Sequence, residues 1–396
     1  MKFLPFLLFA ILTASAEPWY KWRGPSGNGI SNESIPSSGA WPEGELKPLW
    51  KTNVGTGFSS PVVRDGRLFI SGNQNDRDTF YCLDMKTGKT IWKHTYASET
   101  WPYLYDGGPN ATATIDGDHV FVLGRHGHLF CFRSADGKEV WKIDLHQDLD
   151  HKKPSWGFTS APLVDGDRLY LNAGTHGLAL EKATGKVLWQ TGNEDAAYAT
   201  PEPVQLGDSK ALIVFGPVSC AAVTTEGKRL WETPWKAKYK VNAAQPIIHE
   251  SKMFLSSAYG FGCALFRIDD RGTTEVWRNK AMENHFGTCI LLGGHLYGVS
   301  GTTADKCLLK CISWDTGETL WEEKGVGMGS VLAAKDQLVV LSDRGELIFA
   351  PASPKEFKPT YRTQILGGKC WTPPAISEGH AYARNSRGDL VAVKLP

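Results

Sequence analysis

Asp84-Met-Lys-Thr-Gly-Lys-Thr-Ile-Trp92 decides the reading of this chain, because its pattern returns as Ser134-Ala-Asp-Gly-Lys-Glu-Val-Trp141 and as Lys182-Ala-Thr-Gly-Lys-Val-Leu-Trp189. Gly supplies the positive φ of a tight hairpin, and the Asp or Thr beside it can hydrogen-bond the turn backbone. The tryptophan at the end recurs at 50, 92, 141, 189, 231, 277 and 321, with spacings of 42, 49, 48, 42, 46 and 44 residues. A period of that length marks an array of supersecondary units. Earlier in each unit runs a second hairpin about Asp-Gly, as in Pro61-Val-Val-Arg-Asp-Gly-Arg-Leu-Phe-Ile70 and Pro162-Leu-Val-Asp-Gly-Asp-Arg-Leu-Tyr-Leu171. Two hairpins per unit make a four-stranded meander, with strands A to D running from the inside out. A helical solenoid is the rival repeat, but the apolar runs are short, rich in Val, Ile, Phe and Tyr, and never hold a helical period.

A ring of such sheets buries its core in the wedges between neighbours, and a flat Trp on strand D fills such a wedge. After Trp321 comes one more unit, with Tyr361 near the place of the next Trp. The last begins at Trp371-Thr-Pro-Pro and ends on Asp389-Leu-Val-Ala-Val-Lys394, a C strand with no D partner. Leu46-Lys-Pro-Leu-Trp50-Lys-Thr-Asn, at the other end, supplies the missing strand and leaves no open edge. The expected fold is therefore all-β, an eight-bladed propeller of four-stranded antiparallel blades closed by the N-terminal strand.

Residues 1–16, MKFLPFLLFAILTASA, read as a signal peptide cleaved after Ala16. Its apolar run is shorter than the roughly 20 residues of a spanning helix, and no later segment would cross a bilayer. The expected organisation is signal peptide 1–16, an N-terminal extension 17–45 packing on the propeller, and a repeat domain 46–396, with the mature protein soluble, exported and monomeric. Loss of Lys2 lowers the 43 basic residues by one, to equal the 42 acidic ones. Charges of both signs are interspersed, so no basic stripe for nucleic acid exists.

Eight cysteines in an exported chain invite a disulfide reading. Yet Cys82, Cys131 and Cys311 share a repeat position with Ala179, Ala222 and Ala392, which points to a small packed side chain, while other pairings stay open. His126-Gly-His128 and the pair His146 and His151 read as solvated imidazoles on hairpin tips rather than metal ligands.

With the repeat laid out, the Thr-Gly-Lys turns before Trp resemble the tryptophan-docking repeat of the pyrroloquinoline quinone (PQQ) propellers. Trp22-Arg-Gly-Pro-Ser-Gly-Asn-Gly29, Gly107-Gly-Pro-Asn-Ala-Thr112, Trp156-Gly-Phe-Thr-Ser-Ala-Pro162, Asn284-His-Phe286, Trp371-Thr-Pro-Pro374 and Tyr382-Ala-Arg384 carry the likeness to secreted bacterial members. The resemblance implies a quinoprotein-like fold, hosting either quinoprotein dehydrogenases or a non-catalytic scaffold of outer-membrane assembly. The enzymes typically carry adjacent cysteines against the quinone and an Asp base beside Ca²⁺, and this chain has no adjacent cysteines. No cofactor is therefore expected. The expected function is a non-catalytic extracytoplasmic scaffold binding a protein, small molecule or carbohydrate; the alternative is a PQQ-dependent alcohol or sugar dehydrogenase.

The D-to-A and B-to-C connections share one rim and include the long segments 98–108, 145–156, 235–242, 256–262 and 280–286. Ligands bind where such loops converge on a rigid frame. Strand A starts nearest the axis, so Trp156, Tyr198, Asn242, His285 and Trp371 are the expected ligand-binding residues at the channel mouth. The same aromatic groups would equally serve as a plug.

Overall fold

A computed structural model of the chain describes residues 17–36, 41–102 and 105–396; the expected signal peptide, 1–16, lies outside them. In the first blade the strands are Val62–Arg64, Arg67–Gln74, Arg77–Asp84 and Thr90–Ala97. Asp65 and Gly66 join A to B with φ of 52° and 72°, the all-positive geometry of a two-residue hairpin. Between C and D, the Asp84 carboxylate accepts bonds from the Thr87 amide at 2.8 Å and hydroxyl at 2.7 Å, and Gly88 takes φ 67°.

The pattern repeats to give eight antiparallel blades, seven of them four-stranded sheets and one a sheet of five strands. The eighth blade is made from both ends of the chain: Pro48–Asn53 lies antiparallel to Asp389–Lys394, with Pro48 opposite Val393 and Asn53 opposite Asp389. Arg384, fully buried in that blade, donates to the carbonyls of Gly55 (2.8 Å) and Ser71 (2.7 Å) and so ties it to the first blade.

The recurring tryptophans dock each blade on the next. Each of the seven indole N–H groups donates to a turn carbonyl of the following blade at 2.7–3.0 Å, as Trp50 does to Met85, Trp92 to Ser134 and Trp189 to Thr225. Cys82, Cys131, Ala179, Ala222, Cys311 and Ala392 each stand directly opposite a docking Trp on the neighbouring strand. A small residue there leaves the indole room to lie in the wedge. The resulting core is inter-blade: Ile213, Ala222 and Trp231 of the fourth blade pack with Met253, Leu255 and Phe266 of the fifth. All eight cysteines are buried and free.

Segment 17–36 lies along the inner strands. Val63 and Ile115 donate to the carbonyls of Trp19 and Tyr20, and Ala333 donates to Gly29. Ile30–Ser31 adds a parallel fifth strand to the seventh blade, against Ala333 and Ala334. These contacts satisfy innermost edges that would otherwise face an empty channel.

Exposed His146 agrees with the expectation of solvated imidazoles, whereas His151 and His128 depart from it. His151 is fully buried, and half-buried His128 faces Asp144 at 3.5 Å. His128 opens the strand His128–Arg133, while the 145–156 connection turns His151 inward, its amide donating to the Leu145 carbonyl.

Candidate functional site

Each D strand returns to the axis through a connection ending in a short extended stretch before strand A. Neighbouring stretches are stitched by hydroxyls: the amides of Ser60, Ala161 and Gln245 donate to Thr112, Thr200 and Thr288, each at 3.0 Å. The eight stretches enclose a cavity of about 390 Å³ to which every blade contributes. Trp22 and Arg23, from the segment along the inner strands, form its floor.

Trp156, Tyr198, His285 and Trp371 line this cavity, and Asn242 does not. Extended backbone alternates its faces, so Val241 and Ala243 point inward and Asn242 outward. Fully buried, the Asn242 amide donates to the Gly216 carbonyl at 2.8 Å and accepts from the Ser257 hydroxyl at 2.8 Å. It braces the connection.

Sequence reasoning missed several lining groups, among them Phe58, Tyr105, Asn110, Tyr259 and Ser330. Their signal was positional, since Phe58, Tyr105, Asn110 and Ser330 lie in or beside a stretch that leads into a strand A, and Tyr259 lies in the connection between Lys252–Ser257 and Gly262–Ile268. Together the rings form a chain of contacts: Tyr259, His285, Phe286, Trp371, Phe58, Tyr105 and Trp156, with centroids 5.0–5.8 Å apart. Between Phe286 and Trp156 successive planes meet at 35°, 30°, 50° and 55°, which makes a curved wall.

His285 Nε2 shares a 2.8 Å hydrogen bond with the Tyr259 hydroxyl, and burial pulls its pKa down to about 4, so the ring is neutral at pH 7. Burial pushes the Tyr198 hydroxyl up to about 12. Deeper in the channel Glu202 is raised to about 7 by burial, against the pull of its Gln245 bond and of Arg23 and Lys21. Three lining residues have a buried polar atom without a partner: Asn110 Oδ1, His285 Nδ1 and Ser330 Oγ. An unsatisfied buried group costs about 1–3 kcal/mol, and these three atoms carry that cost in the cavity wall rather than on its open face.

A tricarboxylate quinone with Ca²⁺ needs carboxylates for the metal and cations for the quinone. Among the described lining residues there is no Asp or Glu, and none of the eight cysteines. Arg23 is the one lining cation, and its nitrogens donate to the carbonyls of Gly27, Thr288, Asn28 and Cys289 at 2.7–3.3 Å. Among the described residues no cluster of three His, Cys, Asp or Glu could hold a metal. These residues do not fit the quinone and calcium pair.

The family model described as outer membrane protein assembly factor BamB matches residues 42–107 and 102–308. BamB of Burkholderia pseudomallei is 25% identical over 324 residues, 76% of each chain. Lupanine 17-hydroxylase [cytochrome c] of a Pseudomonas species is 27% identical over 157 residues, covering 36% of this chain and 21% of that protein. The crystal structure of BamB from Moraxella catarrhalis superimposes with a TM-score of 0.64 at 15% identity, over 88% of this chain and all of that one. With the family match spanning more than half of the sequence and all eight blades in place, the chain belongs to the PQQ-repeat propellers of the BamB type.

Proposed function

We propose that this protein is an exported, monomeric, non-catalytic scaffold that captures a ligand or partner at the loop-rich mouth of its propeller. The observation that carries this reading is the mouth itself, an aromatic cavity to which all eight blades contribute and which no carboxylate lines among the described residues. General acid–base chemistry at the mouth needs a titratable group poised near the working pH; the lining His285 is held far below it, and Glu202, raised to about 7, is not among the lining residues. The relative named as an outer-membrane assembly factor supports a binding role outside the cytoplasm. The rival is a quinone-dependent alcohol or sugar dehydrogenase, suggested by the similarity to lupanine hydroxylase. Incubating the purified protein with PQQ, Ca²⁺, an artificial electron acceptor and a panel of alcohols and sugars separates the two. The expected result is no substrate-dependent reduction of the acceptor; turnover above the protein-free control would overturn the scaffold reading.

A further inference from the structure

We infer that the mouth cavity binds an uncharged, polyhydroxylated ring, a mono- or disaccharide. The inference rests on the mouth being a binding site and names what the site takes. Ring geometry supplies the first argument. A planar fused aromatic ligand calls for parallel faces, whereas the rings of Phe286, Trp371, Phe58, Tyr105 and Trp156 turn by 30–55° at each step. That curved wall matches the C–H faces of a puckered ring.

Charge supplies the second. Arg23 spends its donors on backbone carbonyls, and Arg125, whose Nη2 has no partner, is not among the lining residues, so an anion finds no free cation in the lining. A cation fares no better, because the protein's own cations already face the rings: Arg125 lies 5.1 Å from the Tyr105 centroid and Lys369 lies 4.6 Å from that of Trp371. Lys369 is in turn paired with Asp106 at 3.0 Å. A neutral ligand remains.

The lining also holds neutral polar side chains, Asn110, Thr159, His285, Thr302 and Ser330, from different blade connections. An amide and a hydroxyl both donate and accept, and an imidazole nitrogen does either by tautomer. Hydroxyls spread around a sugar ring can pair with such groups, which a purely apolar ligand cannot. The cavity, at about 390 Å³, is in the range of small-molecule sites.

The test is titration of the mature full-length protein with glucose, N-acetylglucosamine, maltose and cellobiose, followed by tryptophan fluorescence and calorimetry, beside glucuronate, choline and PQQ with Ca²⁺. Saturable binding of at least one neutral sugar is expected, with affinity reduced tenfold or more in Ser330→Ala and in His285→Gln while the melting temperature holds. Silence from all four sugars overturns the inference, as does binding that both variants leave unchanged. Choline or glucuronate binding with the sugars silent also overturns it but leaves the scaffold reading standing. Quinone-dependent turnover overturns the scaffold reading whatever the sugars do.

Discussion

Gly137 has φ 74° and lies so close to the Trp92 indole that a β-carbon there would sit 2.5 Å from its Cε3. The same approach joins Trp50 to Gly88, Trp141 to Gly185, Trp189 to Gly227 and Trp277 to Gly317. In the sequence, Gly and Trp read as two features, a turn former and a wedge filler. In these five turns they are one contact, since the Gly receives the Trp of the preceding blade. Gly166 also has positive φ, but a β-carbon there meets nothing within 4 Å. Gly166→Ala should therefore cost only the left-handed backbone penalty, about 1–2 kcal/mol. Gly137→Ala should cost that and a further 1–3 kcal/mol, roughly, for displacing the indole. Denaturant unfolding of the two variants checks this; equal losses would mean that the Trp–Gly contact contributes nothing.

At the level of the strand, short apolar runs marked B and C, which are buried on both faces, whereas the D strands alternate and carry an irregularity. One residue before each docking Trp the ladder skips a partner, so Ile91, Val140, Leu188 and Leu320 stand as bulge residues, 40–47% exposed despite aliphatic side chains. A bulge turns the strand and sends the Trp into the wedge, and no binary pattern registers the extra residue. Tyr361 shows how the permuted blade is completed: it stacks on Trp41 at 4.4 Å, and its hydroxyl donates to the Gly44 carbonyl. Residues 41–44 thus stand where every other blade has its C-to-D turn. Two truncations separate the roles of the N-terminal region. Removing 17–36 should leave a monomer of lowered melting temperature, because the closing strand survives while the inner strands lose partners. Removing 17–53 strips Pro48–Asn53 from Asp389–Lys394 and should cause aggregation. Size-exclusion chromatography with light scattering checks both, and a monomeric, normally melting 17–53 deletion would show that closure lies elsewhere.

Over the whole molecule, the architecture was legible because it is periodic: seven Trp positions and their turns state the same unit again and again. The cavity was not, because each blade gives it different residues, and periodicity is silent where units differ. Trp156 and Trp371 were found as large rings near a strand A, whereas Asn242 was assigned to the wrong face by a single step along an extended chain. The cysteines pose the same problem of one residue type with two meanings, and here burial decides. All eight are buried and free, and burial pushes Cys82, Cys131, Cys289 and Cys370 up to about 12 and Cys263 and Cys311 up to about 11. Only the thiolate attacks a disulfide, so at pH 8 neither oxidants nor thiol reagents should find a reactive form in the native ring. A colorimetric disulfide reagent should therefore detect no thiol in the folded protein and eight in denaturant without reductant, with a melting temperature indifferent to dithiothreitol. Fewer than eight would mean that export oxidises a pair, which for Cys82, Cys131 or Cys311, each opposite a docking indole in a different blade, would disturb the wedge that the indole fills.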